Sequence, residues 1–204
     1  MKYFIATTVA LGVCLTAHAQ VAYNNFGSGD TYQVNVGDTI SNSGSLVGSV
    51  NSQGWRFTSA TTGSVSNVTV AMAYVLNPDP ITFTIYANNA GVLGSSLGSF
   101  NVTPPAALGN PSVASVIPSA TINLVAGQDY WLVAAPGNST AWASWLRAPV
   151  GNIAPRYSLI GSTVSYTSGS SMGAFRVETV PEPMTMTALA LGAGLLLRRR
   201  TQAA

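Results

Sequence analysis

Apolar side chains at every second position constrain the middle of this chain more than any other feature. The alternation runs through residues 68–74 and 81–86, on either side of an Asn-Pro-Asp-Pro segment at 77–80. In an extended chain a period of two places the apolar side chains on one face, whereas a helix needs a period near 3.6. Both segments are therefore predicted to be half-buried strands joined by a turn.

The same signals predict a fold made of strands alone. No helical stripe precedes residue 184, and turn residues separate the extended segments. Ten short antiparallel strands predict an all-β fold, an antiparallel β-sandwich with jelly-roll-like connectivity, while periodicity alone leaves a barrel open. The eight strands predicted beyond the first two cover residues 55–59, 96–102, 121–125, 129–135, 141–146, 156–160, 163–167 and 174–179.

Residues 20–180 carry few charges and no basic patch. Nucleic-acid binding depends on clustered Lys and Arg that neutralise phosphates, so no nucleic-acid partner is expected. Four arginines oppose five acids in this segment, a net charge of −1: Arg56, Arg147, Arg156, Arg176, Asp30, Asp38, Asp79, Asp129 and Glu178.

The same segment contains no Cys, His or Lys. Without them there is no Ser-His or Cys-His nucleophile pair, no thiolate or imidazole zinc site and no Schiff-base lysine. Disulfides are excluded as well, so the core alone must stabilise the domain, which about 160 residues can do. The composition therefore predicts a protein that is not an enzyme and holds no cofactor.

The N-terminal residues have the pattern of a secretory signal peptide. Lys2 supplies the positive start, residues 4–15 the apolar segment, and Ala17-His18-Ala19 a small-x-small site with cleavage before Gln20. Signal peptidase and the Sec machinery are then partners. The alternative is a lipoprotein signal at Cys14, although Val13 stands where a lipobox needs a small residue.

A Pro-rich motif, an apolar run and three arginines follow one another at the C-terminal end. The motif is Val-Pro-Glu-Pro at 180–183, the run covers 14 residues at 184–197, and the arginines are Arg198, Arg199 and Arg200. A helix of that length extends about 21 Å, short of the roughly 30 Å hydrocarbon core. The run predicts a short, temporary transmembrane helix whose arginines stay in the cytoplasm. The alternative is a buried C-terminal helix.

This order of features resembles the PEP-CTERM sorting tail of Gram-negative bacteria, which a membrane protease called exosortase recognises and cuts. The resemblance implies that Pro181, Glu182 and Pro183 form the sorting motif and that exosortase is a partner. It implies three parts, a signal peptide at 1–19, the β-sandwich at 20–179 and the sorting tail at 180–204. The protein is then expected at the cell surface or in the extracellular matrix, after a transient anchoring in the inner membrane.

Segments of the domain itself are similar to the choice-of-anchor domains, the R type in particular. They are Tyr-Asn-Asn-Phe at 23–26, Gln-Gly-Trp-Arg-Phe at 53–57, the segment 83–89 and the segment 124–132. Domains of that family are exported β-sandwiches that precede interchangeable sorting tails. The resemblance implies fold and placement, and no reaction.

Aromatic residues in the second half of the domain are candidates for a platform on which sugar rings stack. Trp142 and Trp145 are an odd number of positions apart, so one strand would place them on opposite faces, one of them outward. Glycan contact is predicted for the outward one, with Asn138 and Arg147 as hydroxyl partners. Core packing is the alternative for the whole group and is favoured for Trp131. The group consists of Tyr130, Trp131, Trp142, Trp145 and Tyr157.

The acidic residues offer weaker candidates. Asp30 and Asp38 are predicted to lie in Gly/Ser-rich loops, where Asn24 or Asn42 would complete a calcium site. No fixed ligand spacing supports this, so solvated or capping aspartates are favoured and no metal site is predicted. A glycosidase needs two carboxyl groups, and Glu178 is the only glutamate in residues 20–180.

Taken together, these features predict an exported, non-catalytic protein of the surface or matrix that associates with the exopolysaccharide of a biofilm. Two alternatives remain open. One is a carbohydrate-active enzyme, a glycosidase or a polysaccharide lyase using Tyr and Arg. The other is a structural subunit that assembles through edge strands.

Overall fold

The computed structural model describes residues 18–181, which form an all-β fold without any helix. The predicted signal helix and the hydrophobic C-terminal helix lie outside these residues, as do Ala17, Glu182, Pro183 and the three terminal arginines. Within the described range no helix has the length and hydropathy to cross a membrane. The strands are β1 (Gln20–Asn24), β2 (Gln33–Ser41), β3 (Asn51–Thr58), β4 (Gly63–Tyr74), β5 (Ile81–Asn89), β6 (Val92–Val102), β7 (Ser112–Val116), β8 (Asn123–Leu124), β9 (Asp129–Pro136), β10 (Trp142–Arg147), β11 (Ile153–Ile160), β12 (Thr163–Ser171) and β13 (Phe175–Val180).

The strands form an antiparallel β-sandwich, as the sequence predicts. In the first layer β13 and β10 both pair with β4, while β1 pairs with β13, β2 with β10, and the short β7 and β8 with β4. In the second layer the order is β12-β11-β3-β9-β5-β6. The two layers are joined by a single register pair, Ser41 on β2 with Asn51 on β3, where the Asn51 amide donates to the Ser41 hydroxyl at 2.6 Å.

Aromatic rings from both layers fill the space between them. Trp145 of the first layer lies 4.7 Å from Trp55 and 4.9 Å from Phe83 of the second, measured between ring centroids. Phe57 and Phe175 extend this contact at 5.6 Å. Burying rings of this size supplies a large share of the hydrophobic stabilisation, and edge-to-face contacts add about 0.5–1.5 kcal/mol per pair.

Hydroxyl and amide side chains bridge neighbouring strands across the sheet surfaces. Thr84 bonds Ser99 at 2.8 Å, and Ser158 bonds Ser165 at 2.8 Å, each across a register pair. Such cross-strand pairs stabilise a sheet without any formal charge. They show how a chain so poor in charged residues covers its strands with polar groups. The same arrangement joins Ser64 to Asn123, Thr69 to Ser115 and Thr82 to Asn101.

Three strands were missed by the sequence prediction, namely β1, β2 and β7. In β2 the side chains of Val34 and Val36 are exposed, so apolar residues do not mark the buried face. Gly37 lies within β2, although glycine is typical of loops. A glycine is needed there, because a Cβ would meet the Ser144 side chain and the Trp145 carbonyl of β10. Asp38 is therefore in a strand, and its predicted loop placement is wrong.

Candidate functional site

The structure places Trp142 and Trp145 on opposite faces of β10, as their spacing predicts. Trp145 has no exposed surface, whereas Trp142 is half-buried on the outer side of the first layer. The Trp145 indole N–H donates to the Ala174 carbonyl at 3.1 Å. A sugar cannot reach a ring enclosed in this way, so glycan contact at Trp145 is wrong, and only Trp142 stays a candidate.

The indole of Trp142 has no hydrogen-bond or ring partner within residues 18–181. Its strand neighbours are Ser41 on β2 and the Val75 amide, which donates to the Trp142 carbonyl at 2.9 Å. Core tryptophans normally find an acceptor for the indole N–H. A half-buried ring on an outer face with a free donor is the arrangement that a ligand carrying hydroxyl groups can use.

The side chain of Asn138 is already engaged in the loop that precedes β10. Its amide donates to Asp79 at 2.9 Å, and its carbonyl oxygen accepts from the Thr140 amide at 3.1 Å. The Thr140 hydroxyl also donates to Asp79 at 3.0 Å. Asn138 thus helps to order this loop, and its predicted role toward a ligand stays a prediction.

Arg147 lies on the side of Trp145, away from Trp142. Its Nε and one terminal nitrogen donate to both oxygens of Asp38 at 3.0 and 3.1 Å. Asp38 is opposite Trp145 in the register of β2 and β10, and its side chain is only 4% exposed. The hydrogen bonds to Asp38 raise the pKa of the Arg147 guanidinium. The buried carboxylate therefore holds Arg147 on the face away from Trp142, and its predicted role toward a ligand stays a prediction.

A second arginine shares this carboxylate. Arg156 donates to Asp38 at 2.7 Å and to Gln53 at 2.7 Å, and its guanidinium carbon lies 5.8 Å from the centre of the Trp55 ring. One carboxylate between two guanidinium groups leaves a local charge of +1. Sequence reasoning missed this cluster because Asp38 is separated from Arg147 by 109 positions and from Arg156 by 118.

Asp30 and Asp38, the aspartates of the alternative calcium site, pair with different arginines. Asp30 accepts from Arg176 at 2.6 Å, so each aspartate has an arginine of its own. Asn24 accepts from the Phe26 amide. Calcium requires convergent oxygens, and within residues 18–181 no group of three or more His, Cys, Asp or Glu side chains is placed to hold a metal ion.

All four arginines of residues 18–181 form ion pairs with carboxylates. Besides the pairs of Asp38, Arg56 lies 3.6 Å from Asp129, and Arg176 lies 3.2 Å from Glu178. Asp79 has no arginine partner among the described residues, and Asn138 and Thr140 bind it instead. Every arginine of the described range is therefore engaged by a carboxylate of the same domain.

A cleft of about 330 Å³ opens where β11 separates from β3, beyond the pair of Arg156 and Trp55. The Tyr23 hydroxyl in this cleft donates to the Met172 sulfur at 3.1 Å. Burial raises the pKa of Tyr23 to about 12, which disfavours the phenolate that a lyase base would need at neutral pH. The lining residues are Tyr23, Arg56, Phe57, Thr58, Asp129, Ile153, Ala154, Pro155 and Met172.

Trp131 is buried, as predicted, but it packs outside the main core. It is 0% exposed and forms a second apolar cluster with Val133 and Tyr157 on the outer side of the second layer. Tyr86 and Tyr166 complete this surface, and sequence reasoning missed both. Tyr86 follows the core residue Ile85 on β5, so alternation along the strand could have marked its side chain as outward. Tyr130, by contrast, faces the main core, 5.9 Å from Phe57.

Comparison with known proteins assigns none of these sites. No protein-family model matches the chain, and no curated protein matches it. A functional assignment has to come from the residues described above.

Proposed function

We propose that this chain is an exported, non-catalytic protein of the cell surface or extracellular matrix that binds polysaccharide through Trp142. A signal peptide at 1–19 and a PEP-CTERM tail at 180–204 deliver it. The observation that carries the proposal is the half-buried Trp142 ring on an outer face, with an indole N–H that has no acceptor within residues 18–181. An aromatic ring stacks on the apolar C–H face of a sugar, and the N–H donates to a hydroxyl.

The charge distribution supports a polymer of neutral sugars as the ligand class. Every arginine in the described range already pairs with a carboxylate of the same domain. A polyanion would have to compete with those carboxylates for its contacts. A neutral polysaccharide needs hydroxyl, amide and aromatic partners, which this surface offers in quantity.

The arrangement of the strand ends supports delivery by two removable segments. Gln20, the first residue after the predicted cleavage site, pairs with Thr179 across β1 and β13. The two ends of the described sandwich therefore lie side by side. Both can be cut without removing a residue of the core, because cleavage before Gln20 leaves β1 whole.

Affinity electrophoresis of the full chain in gels that contain neutral polysaccharides tests the proposed binding. Hydroxyethylcellulose, galactomannan and dextran are the probes, with alginate as the acidic comparison. We expect at least one neutral polymer to retard the protein, and Trp142→Ala to reduce that retardation. Val150→Ala is the matched control, because Val150 is 90% exposed and lies outside the strands. Equal retardation of wild type and Trp142→Ala contradicts the proposal.

The same incubations separate the two alternatives. New reducing ends or unsaturated uronates in the polymer would indicate a carbohydrate-active enzyme. Filaments that form at high protein concentration without polymer would indicate a structural subunit. Retardation without products or filaments supports the binding protein.

A further inference from the structure

The outer side of the second layer carries a group of aromatic side chains to which the proposed function assigns no role. Trp131 and Val133 alternate on β9 with Leu132 and Ala134, which belong to the main core. Alternation along a strand therefore turns Trp131 away from that core. Tyr86 of β5 is opposite Trp131 in register, so it faces the same way.

A glycine in β3 allows this group to extend across the layer. Gly54 lies between Tyr157 of β11 and Val133 of β9 in the register of the three strands. A Cβ on Gly54 would lie 2.7 Å from the Val133 side chain, closer than real contacts allow. With no side chain at that position, Tyr157 and Val133 meet over β3 and form one apolar cluster with Trp131.

Tyr166 of β12 covers part of this cluster and stays 39% exposed. Its ring centroid lies 5.8 Å from that of Trp131 and 5.6 Å from that of Tyr157. The Tyr166 oxygen also accepts a hydrogen bond from the Leu93 amide at 3.3 Å. These contacts fix the ring in place, and a fixed ring loses little conformational entropy when a ligand stacks on it.

Three phenols contribute polar groups to this surface, those of Tyr86, Tyr157 and Tyr166. Burial, and then the neighbouring phenols of Tyr166 and Tyr86, raise the pKa of Tyr157. Within residues 18–181 the hydroxyls of Tyr86 and Tyr157 form no hydrogen bond. The Tyr157 oxygen is not among the buried polar atoms that lack a partner, so it contacts solvent. The Trp131 N–H is used by Asn88 at 3.0 Å. The phenols are thus the polar groups that this surface offers.

The chemistry of this surface matches a neutral carbohydrate. Arg56 is opposite Trp131 in register, and its guanidinium lies 3.6 Å from the Asp129 carboxylate. Phenol oxygens both donate and accept, as sugar hydroxyls do, and the ring faces accept the C–H side of a pyranose. An aliphatic protein partner would leave the three hydroxyls without partners, at a cost for each one buried.

We propose that Tyr86, Tyr157 and Tyr166, packed around Trp131, form a second binding surface for neutral polysaccharide. This rests on the proposed function and extends it to the other side of the molecule. Trp142 faces outward from the first layer, and the tyrosine surface faces outward from the second. Two packed sheets are only about 10 Å apart. One molecule can therefore hold two polymer chains, one on each side, and crosslink a matrix.

The experiment compares three variants of the full chain in gels of hydroxyethylcellulose, galactomannan and dextran. Tyr166→Ala removes the exposed ring, Trp142→Ala removes the contact on the other layer, and the third variant combines both. We expect each single variant to weaken retardation roughly tenfold, as losing one aromatic contact at a binding site does, and the double variant to abolish it. Val150→Ala is again the control.

Crosslinking has a readout of its own. The wild-type protein should raise the turbidity and viscosity of the polymer that retards it, and either single variant should abolish that rise while keeping some binding. If Tyr166→Ala lowers the melting temperature strongly, Tyr86→Phe and Tyr157→Phe decide instead, because they remove one hydroxyl each and keep the packing. Reduced retardation in these two variants supports the surface.

The outcomes separate this inference from the function on which it rests. Loss of binding in Trp142→Ala with wild-type binding in Tyr166→Ala keeps the proposed function and overturns the second surface. The reverse pattern keeps the tyrosine surface and overturns the role of Trp142. A dimer that Tyr166→Ala dissociates in sedimentation would make a second copy of the chain the occupant and would also overturn the inference. Failure of every neutral polymer to retard the wild type overturns both.

Discussion

The ring of Trp145 stands perpendicular to the ring of Trp55, with an interplanar angle of 90° and 4.7 Å between the centroids. Trp145 belongs to β10 in the first layer and Trp55 to β3 in the second, so this contact is where the layers meet. Both rings are fully buried. The contact links the position of Trp142 to the fold, because the strand that buries Trp145 must turn Trp142 outward.

Replacing Trp145 should unfold the domain far more readily than replacing Trp142. Trp145→Ala leaves a cavity between the layers and should cost roughly 3–5 kcal/mol of the free energy of unfolding. Trp142→Ala removes a half-buried ring without ring contacts in the described residues and should cost less than about 1.5 kcal/mol. Urea denaturation of both variants measures the difference. Similar losses in both would mean that Trp142 belongs to the core.

Gly173 lies against the rings of Trp145 and Trp55. A Cβ on Gly173 would lie 2.6 Å from Cε2 of Trp145 and 2.8 Å from Cζ3 of Trp55. Gly173→Ala should therefore force the rings apart and cost about 1–3 kcal/mol by overpacking. Gly169→Ala is the matched control, because nothing lies within 4 Å of its Cβ position. Thermal unfolding should show a lower melting temperature for Gly173→Ala alone.

The carboxylate of Asp38 is the charge whose removal should matter most. Asp38→Asn leaves the partly buried Arg147 and Arg156 without their shared anion, and breaking a buried pair costs about 3–5 kcal/mol. Asp30→Asn breaks a more exposed pair with Arg176 and should cost less than about 1 kcal/mol. Chemical denaturation in low and high salt measures both. A larger loss for Asp30→Asn would contradict the structural role given to Asp38.

The sequence predicted most strands of the sandwich but not which charged side chains pair with one another. Residues 68–74 and 81–86 lie in β4 and β5, as predicted. In β5 the alternation marks the buried face, whereas residues 68–73 of β4 are buried on both faces, so the half-buried prediction is wrong for that strand. The edge strand β2 exposes Val34 and Val36, so the same rule gave no signal there. Asp38 looked like a loop residue for that reason, and its two arginines come from strands far along the chain.

The tyrosine surface could not be predicted from the sequence for a related reason. Tyr157 and Trp131 could be named as aromatic candidates, but they join one cluster through Val133, which meets Tyr157 across Gly54. Tyr166 joins them only because β12 brings its ring over the second layer. A pattern along one strand predicts which face a residue occupies, whereas the neighbours on that face come from pairing between strands.

Alkaline pH should destabilise the protein through Tyr23. Burial raises the pKa of Tyr23 to about 12, compared with about 10 in the unfolded chain. Between these values the folded state keeps a proton that the unfolded state loses, so stability is full below pH 10 and falls as pH rises toward 12. The slope is at most about 1.4 kcal/mol per pH unit.

Tyr23→Phe isolates this effect, because it removes the ionisable hydroxyl and keeps the ring packing against Phe57 and Phe175. The variant loses the hydrogen bond to Met172 at every pH. Urea denaturation at pH 9 and pH 11 should therefore show a smaller difference for Tyr23→Phe than for the wild type. An equal difference would assign the alkaline sensitivity to other groups, among them Tyr157.

Processing should remove both ends of the chain and leave the paired strands β1 and β13 intact. Gln20 begins β1 and pairs with Thr179, so a cut before Gln20 and another after Val180 would spare every hydrogen bond of that ladder. Mass spectrometry of the protein from its host should find an N-terminus at Gln20 and no peptide from residues 195–200.

Replacing Pro181, Glu182 and Pro183 with Ala should leave the chain uncleaved and membrane-bound. Extracellular protein that still ends at Ala204 would contradict the sorting role of the tail, and normal release of the triple variant would reduce the motif to a turn.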